Sequence, residues 1–165
     1  MSISKSQFIT WYKEPDDLIK QKIEQLKCKY VRYCKEKKYH LAVECINTLI
    51  AIGPYKKVEF NLKLDQKWIH CHAKIAVHEW INGNFEISVS HWKKILEKDL
   101  TFGVSYYYIG IYNWFNDNNL KAISLLEKAV LLKPTIENYK IQLNVIKEDY
   151  YKKKISKSET ETAYI

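Results

Sequence analysis

Apolar side chains recur along this chain every three or four residues, the spacing that gathers them on one face of an α-helix. From Pro15, a residue suited to a helix's first turn, Ile19, Ile23, Leu26, Tyr30 and Tyr33 form one such stripe. Lys37 and Lys38 read as a short connection. Tyr39, Ala42, Ile46, Leu49 and Ile50 then start a second stripe, which Gly53 and Pro54 are expected to end. Val58, Phe60, Leu62 and Leu64 alternate as a strand would, but Phe60, Leu64, Trp68, Cys71 and Ile75 fit a helix. With no second strand nearby to pair with, a long helix from Val58 to about Ile81 is expected. Asn82-Gly83-Asn84 makes a turn, and Phe85, Val89, Trp92, Ile95 and Leu96 mark the next helix. Tyr106 to Phe115 is helical, Asn116 to Asn119 a polar turn, and Leu120 to Leu132 a helix that Pro134 stops. Ile136, Tyr139, Leu143, Ile146 and Tyr150 make a last amphipathic helix, expected to reach residue 154, with 155–165 a disordered tail. The pattern predicts seven helices and an all-α fold.

The helices repeat. A shift of 34 residues carries Ala76 onto Gly110, Ser88 onto Ala122, Trp92 onto Leu126, Ile95 onto Ala129 and Leu100 onto Pro134. A shift of 46 carries Tyr39 onto Phe85, Ala42 onto Ser88 and Ile46 onto Trp92. Small residues return where two helices must approach closely, and a large apolar residue returns where the pair buries its seam. A helix–turn–helix period of 34 resembles the tetratricopeptide repeat. The unit 103–136 carries the resemblance best, with Gly110, Ala122, Ala129 and Pro134 at the signature spacing. Tyr106 and Ile109 stand there for the usual Trp and Leu, and Asn113 for the usual Tyr. Unit 69–102 keeps Ala76, Ser88 and Trp92, and unit 23–56 matches least.

The resemblance implies an α-α superhelix, a right-handed solenoid of about three helix pairs spanning 15–154, with helix 136–154 capping its open end. A segment 1–14 precedes it. The first helix of each pair should line a groove. Matched position by position, the first unit offers Lys27, Val31, Cys34 and Lys35, the second His70, Ala73, Val77, Trp80 and Ile81, and the third Val104, Tyr107, Ile111, Trp114 and Phe115. One end is basic and the other apolar and aromatic. The implied function is a non-catalytic adaptor or scaffold subunit that binds a segment of another protein. Val77, Trp80, Tyr107, Ile111 and Trp114 would anchor its apolar side chains, and Lys27 and Lys35 its acidic flank. The same aromatics can instead pack internally, against the capping helix or against Phe8, Ile9, Trp11 and Tyr12 folding back. One subgroup of these repeats grips the carboxylate of a chaperone tail. Of its positions Lys27 matches, but Val31, Lys74, Val104 and Tyr108 occupy the other four, so that ligand is not expected.

Composition narrows the classes. With 165 residues there is length for one domain with a real core. Four glycines and three prolines argue against a loop-rich fold or a glycine-cradled nucleotide site. The longest apolar runs fall far short of the roughly 18 residues a membrane span needs, and MSISKSQFITWYKEP lacks the features of a secretory signal. The net charge is +8, and residues 1–58 hold most of the excess, with 12 basic against 6 acidic side chains. Such an end can steer acidic partners or nucleic acid, or be only a solvated lysine-rich surface.

Catalytic and metal chemistry find no frame. His40, His70, His72, His78 and His91 do not converge with other ligands. The pairs Cys71/His78 and His72/Glu79 fall short of the three or four ligands that zinc requires. Cys28, Cys34, Cys45 and Cys71 lack paired metal spacing and read as reduced thiols of a cytoplasmic or nuclear protein. No enzyme, metal or cofactor is expected. The alternative is a basic RNA-associated protein, since tyrosines interleave with cations in Lys29-Tyr30-Val31-Arg32-Tyr33 and Tyr150-Tyr151-Lys152-Lys153-Lys154.

Overall fold

Ile19 and Ile23 are withdrawn from water while Asp16, Asp17 and Lys20 face it, as the first stripe requires. They belong to a computed structural model that describes residues 16–56 and 63–162. Among the described residues there are seven helices and no strand: α1 (Asp16–Lys35), α2 (Tyr39–Lys56), α3 (Leu64–Ile81), α4 (Phe85–Lys98), α5 (Gly103–Phe115), α6 (Asn119–Leu132) and α7 (Glu137–Thr162). In α1 the acids stand in the first turn and Arg32 and Lys35 in the last, each charge at the end of the helix dipole that favours it.

Four expectations shift. α2 runs past Gly53 and Pro54 to Lys56. Proline's fixed φ is itself helical, but Pro54 has no N–H for the Ile50 carbonyl, so the turn it sits in is held by fewer backbone bonds and ends at Lys56. α3 starts only at Leu64, because Lys63 sits in the left-handed region at φ 43°. The part of the expected helix over 58–62 lies outside the described residues, as do residues 1–15. α5 begins at Gly103, three residues before Tyr106. α7 continues to Thr162, beyond residue 154 and through most of the expected tail. A helix already nucleated by packing extends at the cost of one residue per added bond, even where the sequence is polar.

The repeat is written in the backbone. The shifts of 46 and 34 residues carry Lys37 (φ 58°) onto Gly83 (φ 79°) and Gly83 onto Asp117 (φ 57°), three left-handed residues that end α1, α3 and α5. Each ending is closed by the same bond: Lys38 N–H to Tyr33 O at 2.8 Å, Asn84 N–H to Glu79 O at 2.9 Å, and Asn118 N–H to Asn113 O at 2.9 Å. The next helix then opens in the same way, with Ala42, Ser88 and Ala122 donating to Lys38, Asn84 and Asn118. Those three small residues are fully buried, and Ile46, Trp92 and Leu126, one turn later, are buried as well.

The chain divides into two compact units, Met1–His78 and Glu79–Ile165. In the first, Ile19 and Ile23 of α1 pack with Leu49 and Ile52 of α2, and Leu26 and Leu64 close over them. In the second, α5, α6 and α7 enclose Ile111, Ala122, Leu126, Leu143 and Ile146. Gly110 lets α5 lie against α6, since a Cβ there would come within 3.0 Å of the Leu126 side chain. Asn113, buried where the repeat signature has a larger residue, donates to Ile109 O at 2.7 Å.

Candidate functional site

α1 turns its apolar stripe inward, so the residues between those positions line its outer face. Lys27, Cys28, Val31, Arg32 and Lys35 border an open groove of about 440 Å³. Val31 is 49% exposed between the cations. Lys27 pairs with Glu24 at 2.5 Å, and the Arg32 guanidinium lies 4.0 Å from Glu36. A hydrogen bond from Lys38 holds the Glu36 carboxyl below its usual range. Beneath the groove, a smaller cavity of about 150 Å³ is bordered by Lys27, Tyr30 and Val31 of α1, Ile46 of α2, and Leu64 and Lys67 of α3. The two sequence-predicted cations, Lys27 and Lys35, therefore share one groove. Arg32 and Lys67 join them, unanticipated as site residues. Arg32 stands one position past Val31 and was readable from helical spacing. Lys67 depends on how α3 lies against α1.

The tyrosines of α1 are engaged. The Lys67 ammonium stands 5.3 Å over the Tyr30 ring, and the Arg32 guanidinium 5.2 Å over that of Tyr33. Stacking on nucleotide bases, the mechanism of the RNA alternative, would require those ring faces to be open.

The aromatic residues predicted to anchor a partner are brought together in the second unit, but mostly as interior. Trp80 meets Phe85 and Tyr108 edge-on, both at 4.9 Å, and stacks on Phe115 at 6.3 Å. Tyr108 lies parallel to the buried Trp92 at 5.0 Å. Tyr107 stacks on Tyr139 of α7 at 4.4 Å, and its hydroxyl accepts from Asn138 at 3.2 Å. Trp114 directs its indole N–H at Asp149 of α7, 3.5 Å away. Ile111 is 7% exposed, packed beneath Leu143 and Ile146. Burial pushes the Tyr107, Tyr108 and Tyr139 phenols above their ordinary range. The expectation that Ile111 faces a partner thus fails, and Tyr107 and Trp114 spend their contacts on α7. Internal packing against the capping helix, the other possibility the sequence held, is what the described residues present. α7 contributes Tyr139, Leu143 and Ile146 because leaving the α5 face in water would forfeit roughly 1.5–3 kcal/mol per large apolar side chain. Phe115, 54% exposed, remains at the margin of this cluster. Val77, in the first unit, is half-buried.

Among the described residues no three His, Cys, Asp or Glu side chains converge as metal ligands. His72 is buried with its ring 3.8 Å from that of Trp68. No helix among them is long and apolar enough to cross a membrane.

The C-terminal TPR-containing domain of an FK506-binding protein of Plasmodium falciparum superposes with a TM-score of 0.52. It covers 87% of this chain and 98% of that one, at 17% identity. The chain has a tetratricopeptide-repeat fold. The first TPR of Spaghetti (RPAP3), solved bound to the HSP90 peptide SRMEEVD, gives a TM-score of 0.45 at 18% identity, covering 79% of this chain and 94% of that one. No protein-family model and no curated protein sequence matches the chain. The TPR-like fold accounts for the three equivalent turns and for the small residues that follow them.

Proposed function

We propose that this protein is a non-catalytic adaptor or scaffold subunit of a protein complex, and that it holds a segment of another protein along the outer face of α1. The observation that carries this is the open groove in which Val31 stands exposed among Lys27, Arg32 and Lys35. Its composition suits a segment with an apolar side chain to cover Val31 and carboxylates on either flank. The repeat region, taken as units 23–56, 69–102 and 103–136 with the terminal helix, serves as the scaffold that fixes α1. The partner is not a chaperone tail, because the clamp positions other than Lys27 hold residues of the wrong chemistry. Four thiols without metal partners suit a reducing compartment, and we place the protein in the cytoplasm or nucleus.

The test compares capture from native extract by the intact chain and by the Lys27→Glu, Lys35→Glu double variant. Both positions are on the surface, so the circular-dichroism spectrum should be unchanged. Proteins captured by the intact chain should be depleted about tenfold or more with the variant, and their capture should weaken with salt. An unchanged set at unchanged yield would remove the α1 face from the function.

A further inference from the structure

One contact and a shared cavity indicate the register of α1 against α3 in the first unit. Lys27 and Leu64 border the same cavity, and so do Tyr30 and Lys67. The Lys67 ammonium also stands over the Tyr30 ring at 5.3 Å. Lys27 and Leu64 are separated in sequence by the same offset as Tyr30 and Lys67, the spacing two helices lying side by side in parallel would give. One more turn along each brings Cys34 level with Cys71. The side chains agree: Tyr30, Cys34 and Cys71 are close enough that, after burial itself, each thiol raises the Tyr30 phenol and Cys34 raises the Cys71 thiol. Cys71 is fully buried and Cys34 only partly, so the pair has one member that a small solute can reach. Cys28 points outward into the α1 groove, and Cys45 is buried on α2.

We propose that Cys34 and Cys71 are an oxidisable pair, which a peroxide converts to an intramolecular disulfide that staples α1 to α3. In the first step the Cys34 thiolate attacks hydrogen peroxide. The O–O bond breaks, hydroxide leaves and takes up a proton as water, and Cys34 becomes a sulfenic acid. In the second, Cys71 loses its proton and its sulfur attacks the Cys34 sulfur. The S–O bond breaks and the hydroxide leaves with that proton as a second water. Overall, two thiols are oxidised by two electrons and one peroxide is reduced to two waters. Burial, followed by the neighbouring Cys34, pushes the Cys71 thiol up to about 12. Ring closure therefore waits on a scarce thiolate and should quicken by about tenfold per pH unit above neutrality. The staple would replace the two thiols beside Tyr30, which borders the cavity, so oxidation reaches the wall beneath the α1 groove. The proposal stands apart from any partner on that groove.

The experiment treats the full-length protein with hydrogen peroxide, blocks remaining thiols, digests it without reduction and maps the peptides by mass. The expected product is a linked pair containing Cys34 and Cys71, two hydrogens lighter than the separate peptides and released by dithiothreitol. In the Cys71→Ser variant no link forms, and dimedone traps a sulfenic acid at Cys34. Both Cys34 and Cys71 remaining free while Cys28 is consumed, or a link from Cys34 to Cys45, would overturn the proposal. The wild-type map decides this even if the variant does not fold.

Discussion

Ile146→Ala tests whether α7 is seated as part of the core. The side chain is fully buried against Ile111, Ala122, Leu126 and Leu143. The substitution removes three carbons, worth about 0.8 kcal/mol each in burial. A cavity the neighbours only partly fill adds about 1 kcal/mol more. The expected loss is therefore about 3–4 kcal/mol. Ile141→Ala is the control, on the same helix but 51% exposed, and should cost less than about 1 kcal/mol. Urea unfolding followed by tryptophan fluorescence reads both, since Trp80, Trp92 and Trp114 all belong to the second unit. With a slope of about 2 kcal/mol per molar urea, the Ile146 variant's midpoint falls by roughly 1.5–2 M and the control's by a few tenths. Amide exchange along α7 should accelerate only in the Ile146 variant. Equal and small shifts for the two isoleucines would mean that α7 does not seat this face on α5 and α6. Tyr107, Ile111 and Trp114 would then return as candidate anchors.

Three further outcomes follow from the turns. Gly83→Ala should cost about 1 kcal/mol although a Cβ there meets nothing within 4 Å, because a left-handed φ penalises any L side chain by about 1–2 kcal/mol, less the entropy gained in the unfolded chain. Lys37→Gly, at the equivalent turn, should raise stability by roughly 0.5–1 kcal/mol by the same balance, and thermal midpoints of the two variants moving in the same direction would refute it. Asp99 accepts from the Thr101 hydroxyl at 2.6 Å and backbone N–H at 2.8 Å, which holds its carboxyl below the usual range. This turn is favoured above the ordinary carboxylate pKa of about 3.9 and loses that support as pH falls through the lower folded value. Carboxyl NMR should show Asp99 titrating below the exposed acids, and Asp99→Asn should remove its share of the acid sensitivity.

How much of this was legible in the sequence depended on whether the cause was local. Ile19, Ile23 and their successors declared α1 because burial of one face imposes a period. Ala42, Ser88 and Ala122 declared the repeat because a close helix approach admits only a small side chain. Gly83 and the polar run around Asp117 signalled their turns, whereas Lys37 adopts the same backbone with a side chain that gives no comparable sign. Pro54 misled by two residues, since α2 ends at Lys56 just beyond it rather than at Gly53. Lys27 and Lys35 were found because two turns of one helix bring them to one face. Lys67 over Tyr30, and Cys34 beside Cys71, were not, since the sliding position of α3 along α1 is set by packing and no local pattern encodes it. Ile111 was placed in a groove by resemblance alone, while its apolar character served the terminal helix equally well.

The position of α7 decides which surface is free to bind. A segment seeking Tyr107, Ile111 and Trp114 would have to lift α7 and expose Tyr139, Leu143 and Ile146, all buried. At about 1.5–3 kcal/mol each, that displacement costs roughly 5–9 kcal/mol. A micromolar complex has only about 8 kcal/mol of binding free energy in total. A partner would need nearly the whole affinity of a second such complex merely to reach this site. Along α1 Val31 is already in water, and among the described residues the Glu24 and Glu36 pairings of Lys27 and Arg32 compete with incoming carboxylates. Exposed pairs of that kind hold by about 1 kcal/mol or less. A difference of several kcal/mol supports the docking proposed for the basic face over docking on the aromatic cluster.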